Sequence, residues 1–532
     1  MNPRHKKRCL ALACLALLSG AAIAEEQAIT TTIPLPENQK AEAAALGDVT
    51  GDGADDLLVA VGSAVQNFER ALHLHACRAE RACFPQEPTQ VLDLTPDVVA
   101  FATGDVDGAR GEEILLFTPS GVFACRLETS EEERPRKLLS GDLLWSLPHP
   151  RRLFHWAGGA RDIDGDRLVD LVFPEPAGYR ITFQRRGEEA RGLFDRESYL
   201  RLPEGLAMDP ASRSGQTTQR RERLKQLRQS LSFGSSDVEA LSVWDVIPNP
   251  VFLDWNGDSL PDLLVQTSEE LLVWLQAAGT GFSEMPDHRE ELPLLVDRTR
   301  QTDVSFGSLA ADLNGDARAD AVILAGNLQT PEAGAQVLVY VQGAGTERSD
   351  KTPEAPLFGS RGIPQQLLAV GGIAGSSSLT DIDGDGDPDL VIGSIKMDAL
   401  DALRAASSGT VDARITVYSN SSGGFSPQPE IVFTVSLPAD KVNKAGGQID
   451  ALFIGDVNGD GTSDLLVRDT PERIRVHAVT RTGEKLAVSD DPLFTTPVHR
   501  RATMRVHAAS PGGRPQLVVI EDTQILHVRF PR

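Results

Sequence analysis

Apolar residues in this chain come in short runs bounded by Gly, Pro or Asp. Examples are ALHLHAC from Ala71, GVFACRL from Gly121, YRITFQ from Tyr179, LLVWLQ from Leu271, AQVLVYV from Ala335, RITVYSN from Arg414 and RIRVHAV from Arg473. Runs this short, rich in Val, Ile, Leu and aromatics, read as strands. Another β-rich run precedes each, such as DLLVQ from Asp262 or DAVILAG from Asp320, and before that comes a short apolar lead-in such as LFIGD from Leu452. A further strand, such as ITTTIPL from Ile29 or TQVLDL from Thr89, precedes each lead-in. The pattern predicts an all-β chain of roughly 50-residue units with about four strands each, the signature of a β-propeller.

Between lead-in and second strand the same loop recurs: DVTGDGADDLLV from Asp48, DVDGARGEEILL from Asp105, DIDGDRLVDLVF from Asp162 and DWNGDSLPDLLV from Asp254. It continues as DLNGDARADAVI from Asp312, DIDGDGDPDLVI from Asp381 and DVNGDGTSDLLV from Asp456. The intervals are 57, 57, 92, 58, 69 and 75 residues, so a common unit carries insertions. At the C-terminal end PQLVVIED and TQILHVRF repeat the two strands after a loop, HAASPGGR, without acids. Seven marked units and one degenerate unit predict eight blades, with seven as the alternative. The strand ITTTIPL ahead of the first loop can close the ring by pairing into the last blade, which hides a sheet edge.

Numbered from its first Asp, each loop offers side-chain oxygens at positions 1, 3, 5 and 9. The candidate ligands are Asp48, Thr50, Asp52 and Asp56; Asp105, Asp107 and Glu113; and Asp162, Asp164, Asp166 and Asp170. They continue with Asp254, Asn256, Asp258 and Asp262; Asp312, Asn314, Asp316 and Asp320; Asp381, Asp383, Asp385 and Asp389; and Asp456, Asn458, Asp460 and Asp464. Position 4 is Gly in all seven copies, which permits a backbone turned inward. Several hard oxygens around one point are what calcium requires, usually with a backbone carbonyl added, and the variable position 7 suits that role. Up to seven calcium ions are expected. Ala109 removes the position-5 ligand of the second loop and Glu113 replaces Asp at position 9, so that site is expected to be the weakest or empty. The alternative is seven acidic turns without metal.

The pattern D-x-[DN]-G-D-x-x-x-D-L resembles the FG-GAP repeats of integrin α-chain propellers and the related bacterial VCBS repeats. Phe306-Gly307 ahead of Asp312 matches the family's name-giving dipeptide. The resemblance covers essentially the whole chain after its first two dozen residues. It implies a propeller with calcium in blade-edge loops and an extracytoplasmic setting. It does not imply one activity, because members include adhesion modules, toxin-complex scaffolds and carbohydrate-active enzymes.

The leader supports export. Basic residues from Arg4 to Arg8, an apolar stretch and the triplet Ala22-Ile23-Ala24 read as a signal peptide over residues 1–24, cleaved before a propeller domain at 25–532. The apolar run is short for a retained anchor, so no integral membrane segment is expected after cleavage. Cleavage removes four basic residues and no acid, taking the net charge from −24 to −28. That charge argues against nucleic acid as a partner, and seven divalent ions would halve it. The expected location is periplasmic, extracellular or cell-surface. Cys77 and Cys83 are close enough to pair, whereas Cys125 reads as a buried strand residue.

No G-x-S-x-G, H-E-x-x-H, phosphate-binding Gly loop or C-x-x-C is present. His73, His75 and Cys77 share a strand face, and Trp255 and Trp274 read as packing residues. The long interval predicts an insertion over 185–243 whose centre is an amphipathic helix. Arg220, Arg221, Arg223, Lys225 and Arg228 lie on its basic side. MDALDALRAA from Met397 reads as a second short helix. The expected function is a non-catalytic binding, scaffold or adhesion-type module with a protein or cell-surface glycan partner. A polysaccharide lyase or hydrolase on a calcium-stabilised propeller is the alternative.

Overall fold

The computed structural model describes residues 28–63, 69–77, 84–126, 135–141, 153–175, 178–185, 193–203, 250–266, 270–291, 303–327, 334–342, 364–395, 407, 410–438, 451–483, 485–507 and 514–530. The expected signal peptide, Cys83, the expected basic helix and the expected short helix from Met397 fall outside them.

Each repeat folds as one antiparallel sheet, in chain order from its first strand to its fourth. The first blade comprises Gln39–Gly47, Asp56–Ser63, Arg70–His75 and Gln90–Leu94. The same order recurs in blades two to seven, whose second strands are Glu113–Thr118, Asp170–Glu175, Asp262–Gln266, Asp320–Asn327, Asp389–Ile395 and Leu465–Thr470. The eighth blade combines Thr503–His507, Gln516–Ile520 and Gln524–Arg529 with Ile29–Pro34, which pairs antiparallel from Ile29↔Arg529 to Pro34↔Gln524. Eight blades close the ring, and the degenerate C-terminal unit is one of them.

Eight apolar clusters account for the closure, each filling the seam between two neighbouring blades. The last seam sets Ile33, Val518 and Ile525 against Ala44, Leu57 and Val59, all fully buried. Both faces of a blade are therefore covered, which explains why its two middle strands read as continuous apolar runs rather than alternating ones. Trp255 and Trp274 lie in the seams on either side of the fourth blade, as packing residues. Cys125 is buried at the end of its strand.

Two features depart from the expected layout. Residues Leu193–Arg201, assigned above to the insertion at 185–243, form the fourth strand of the third blade, paired from Gly178↔Arg201 to Arg185↔Leu193. Phe154 and His155 add a short parallel strand to the first strand of the second blade, Ala100–Gly104, at the inner edge of that sheet.

Candidate metal centres

All seven acidic loops join the first strand of a blade to its second, so the ring presents them in equivalent places. Their local geometry follows from carboxylates accepting backbone N–H groups. In loops three to seven the position-1 Asp takes at least two such bonds. In the third, Asp162 Oδ1 accepts from Gly165 N at 2.8 Å and Oδ2 from Arg167 N at 2.9 Å. The position-5 Asp then accepts from position 7, as Asp166 Oδ1 does from Leu168 N at 2.8 Å. These bonds wind the chain around its own side chains. The winding requires positive φ at position 4, which is +77° at Gly165 and +87° at Gly459, and glycine takes it without steric cost.

The position-9 carboxylate fastens the loop to the blade. Asp170 Oδ2 accepts from Ile163 N at 2.9 Å, and its Oδ1 accepts from Gln184 N on the third strand at 2.9 Å. Asp262, Asp320, Asp389 and Asp464 repeat both bonds, and Asp56 bonds Thr50 N and Cys77 N. All six are buried. Burial pushes Asp170 and Asp389 up to about 7, and Asp262, Asp320 and Asp464 up to about 6, against the opposing pull of the two N–H bonds. The neighbouring carboxylates at positions 3 and 5, or 1 and 5, push the same way.

Position 3 divides loops three to seven into two kinds. Where it is Asn, the amide holds position 5: Asn256 Nδ2 donates to Asp258 Oδ2 at 3.1 Å, and Asn314 and Asn458 do likewise. Where it is Asp, that donor is replaced by an oxygen, and an arginine comes in from elsewhere. Arg196, on the fourth strand of the third blade, pairs with Asp164, and Arg481 of the seventh blade pairs with Asp383. Counting positions 1, 3, 5 and 9 with the arginine, both kinds of loop carry three net negative charges.

Neighbouring blades hold these loops in register. Ser463 N donates to Ile382 O at 2.8 Å, and Asn420 Nδ2 to Leu313 O at 2.8 Å. The acid-free eighth loop contributes Arg514, whose guanidinium donates to Val457 O at 2.6 Å and Asn458 O at 3.0 Å of loop seven.

A divalent cation fits this donor set. Among the described residues, three groups bring carboxylate oxygens within 4.8 Å of one another: Asp105, Asp107 and Glu113; Asp162, Asp164 and Asp170; and Asp381, Asp383 and Asp385. In the first loop Asp48 Oδ1 is buried without a hydrogen-bond partner. Crowded oxygens that repel one another are relieved by a positive charge, and hard all-oxygen sets suit hard cations. The first loop would offer Asp48, Thr50, Asp52 and Asp56, the third and sixth four carboxylates each, and the fourth, fifth and seventh three carboxylates and an Asn. The second loop is different, as described below.

His73 and His75 share a face of the first blade's third strand, with ring centroids 6.4 Å apart, and burial lowers the pKa of both. His75 Nδ1 lies 2.9 Å from Pro85 O, which makes this a packed structural pair.

Fold and site together define an eight-bladed β-propeller whose acidic loops can hold metal ions. No protein-family model matches the chain, and no curated protein matches it. Solved structures similar to it include an Agrocybe aegerita lectin recognising non-reducing terminal N-acetylglucosamine, 13% identical over 94% of this chain and 98% of that one, with a TM-score of 0.38. The exotype rhamnogalacturonan lyase YesX is 12% identical over 94% of this chain and 75% of that one, at 0.36. Sqt1 from Chaetomium thermophilum is 10% identical over 93% and 97%, at 0.44. Among the described residues no helix is long and apolar enough to cross a membrane.

Proposed function

We infer that this chain is an exported, calcium-loaded β-propeller of the FG-GAP/VCBS kind, acting as a non-catalytic binding or scaffold module for a protein or cell-surface glycan. One observation carries the reading: the carboxylates of the acidic loops are committed to holding those loops together. Position-1 and position-9 carboxylates accept backbone N–H bonds loop after loop, and the position-9 set is buried. They shape and stiffen a ring, and calcium would neutralise them there. The test is capture by the immobilised chain, with and without a chelator, from a panel of neutral and anionic polysaccharides and solubilised envelope proteins. Calcium-dependent capture without turnover is the expected result. Turnover of a captured polysaccharide would overturn the non-catalytic reading.

One observation favours a polysaccharide lyase or hydrolase instead. Arg505, on the first strand of the eighth blade, brings Nη1 to 3.5 Å from Nδ1 of the buried His155. Burial holds His155 well below its usual pKa and pushes His507 down to about 4, so both imidazoles are neutral at pH 7. A lyase of this kind would show product absorbance from the new double bond, lost in His155→Ala.

A further inference from the structure

The second loop breaks the rule that the other six obey. Position 5 is Ala109, so one ligand is missing. Its position-9 residue is Glu113, and the two carboxylate oxygens do different work. Glu113 Oε2 keeps the usual bond, from Val106 N at 2.8 Å. Oε1 accepts instead from Arg126, with Nε at 2.7 Å and Nη2 also in contact. The same Nη2 donates to Asp107 Oδ1 at 2.8 Å. One guanidinium thus joins the position-3 and position-9 carboxylates, which with Asp105 form the group whose oxygens lie within 4.8 Å of one another. The Glu113 side chain is 3% exposed and that of Arg126 is 20% exposed, so the contact is largely withdrawn from water.

The strand register identifies what is special about Arg126. It follows Cys125, the residue paired with Ile114 just after position 9. The corresponding places in the other six acid-bearing blades hold Ala76, Phe183, Leu275, Val341, Ser419 and Ala478. Among the seven acid-bearing blades, only the one that lacks a position-5 carboxylate has a cation there. The longer Glu at position 9 supplies the reach, since Asp in the other loops spends its second oxygen on a backbone N–H of the third strand or of the residues just after it. The backbone differs as well: the second positive φ of the loop falls at Gly111, position 7, whereas it is at position 6 in Gly53, Arg167, Ser259, Ala317, Gly386 and Gly461.

Arg196 and Arg481 are not equivalent to Arg126. Each pairs with the position-3 Asp of a loop that keeps all four carboxylates, leaving three net negative charges. The second loop has three carboxylates and Arg126, leaving two, and its arginine bridges two ligand positions.

We propose that Arg126 takes the place of the metal ion in the second loop, so that this blade is held by an internal cation and folds without calcium. The proposal deepens the calcium-loaded reading given above for the other six loops, and the test separates the two.

The experiment uses the full chain in two measurements. The first counts bound calcium by elemental analysis after equilibrium dialysis. Six ions per chain are expected, with Asp166→Asn removing one, Asp107→Asn removing none, and Ala109→Asp combined with Arg126→Gln adding one. A count that falls by one in Asp107→Asn would overturn the proposal. The second measures melting in excess chelator. Arg126→Gln should lower the midpoint by roughly a few degrees, because it leaves a buried carboxylate unpaired. Arg126→Lys should recover part of the loss, and Asp166→Asn should not lower the midpoint, because it relieves repulsion. Equal midpoints for native and Arg126→Gln would overturn the proposal. A native chain without calcium would instead sink the calcium reading, while the chelator series still decides the role of Arg126.

Discussion

Arg481, on the third strand of the seventh blade, donates to Oδ2 of Asp383 in the acidic loop of the sixth. The contact links two blades and answers a local need, since an Asp at position 3 lacks the amide donor that Asn256, Asn314 and Asn458 direct at position 5. Removing the arginine should therefore leave the sixth loop with uncompensated repulsion that calcium relieves. Arg481→Gln is expected to lower the melting midpoint in chelator and to widen the shift that calcium produces. Adding Asp383→Asn should restore the native midpoint in chelator. Additive effects of the two substitutions would show the pair to be uncoupled.

Calcium itself should stabilise the ring. A ligand bound only by the folded state contributes about 2.7 kcal/mol per site at a hundredfold excess over its Kd. With several such sites, chelation should lower the melting temperature strongly, and magnesium should restore it poorly, because it demands a tighter octahedral shell. Scanning calorimetry in calcium, magnesium and chelator checks both expectations. Coincident transitions in all three would count against the metal assignment.

The buried position-9 carboxylates set the pH dependence. Asp170 and Asp389 lie near 7 in the folded chain, against about 4 for an unfolded aspartate. A group raised on folding contributes stability that is complete below the unfolded value and lost as pH rises through the folded one. Without calcium, the midpoint should therefore fall between pH 5 and pH 8. Calcium requires the ionised carboxylates, so its stabilising shift should be larger at pH 8 than at pH 5. Melting curves across that window, with and without chelator, test the sign.

Two glycines with the same backbone angle separate loop conformation from ring packing. Gly165 and Gly384 both have φ of +77°. A Cβ on Gly165 would meet nothing within 4 Å, whereas one on Gly384 would lie 2.3 Å from Gly461 O in the next loop. Gly165→Ala should cost about 1–2 kcal/mol, the ordinary penalty for an L-residue in that conformation. Gly384→Ala should cost more and should weaken calcium binding in both the sixth and seventh loops. Calcium titration of the two variants makes the comparison.

The ring was legible in the sequence because its signals are local. An Asp at position 1, a Gly at position 4 and an Asp at position 9 lie within one turn of chain, and the apolar strands that follow are buried on both faces. The fourth strand of the third blade was missed for the opposite reason. FDRESYLR carries no apolar run because it forms the outer edge of the sheet, where Ser198 and Leu200 are buried and Glu197 and Tyr199 exposed. The arginines were missed because their partners are distant in sequence: Arg196 lies 32 residues from Asp164, and Arg481 lies 98 from Asp383. Arg126 is nearer, at 19 residues from Asp107, but only the strand register shows that it occupies a place held by uncharged residues in the other six acid-bearing blades.

The seam that closes the ring also fixes how it responds to load. Ile29 pairs with Arg529, and the register then runs inward to Pro34 with Gln524, so the segments flanking 29 and 529 leave the sheet at the same corner. A pull that separates those segments acts across the ladder and breaks one rung at a time, as a zipper opens, rather than shearing all rungs together. The resistance then comes from the side chains behind the ladder, chiefly Ile33, sunk between Val518, Ile525 and the first blade. Tension applied there would open the propeller at a single seam and leave the seven acid-bearing blades standing as an open arc.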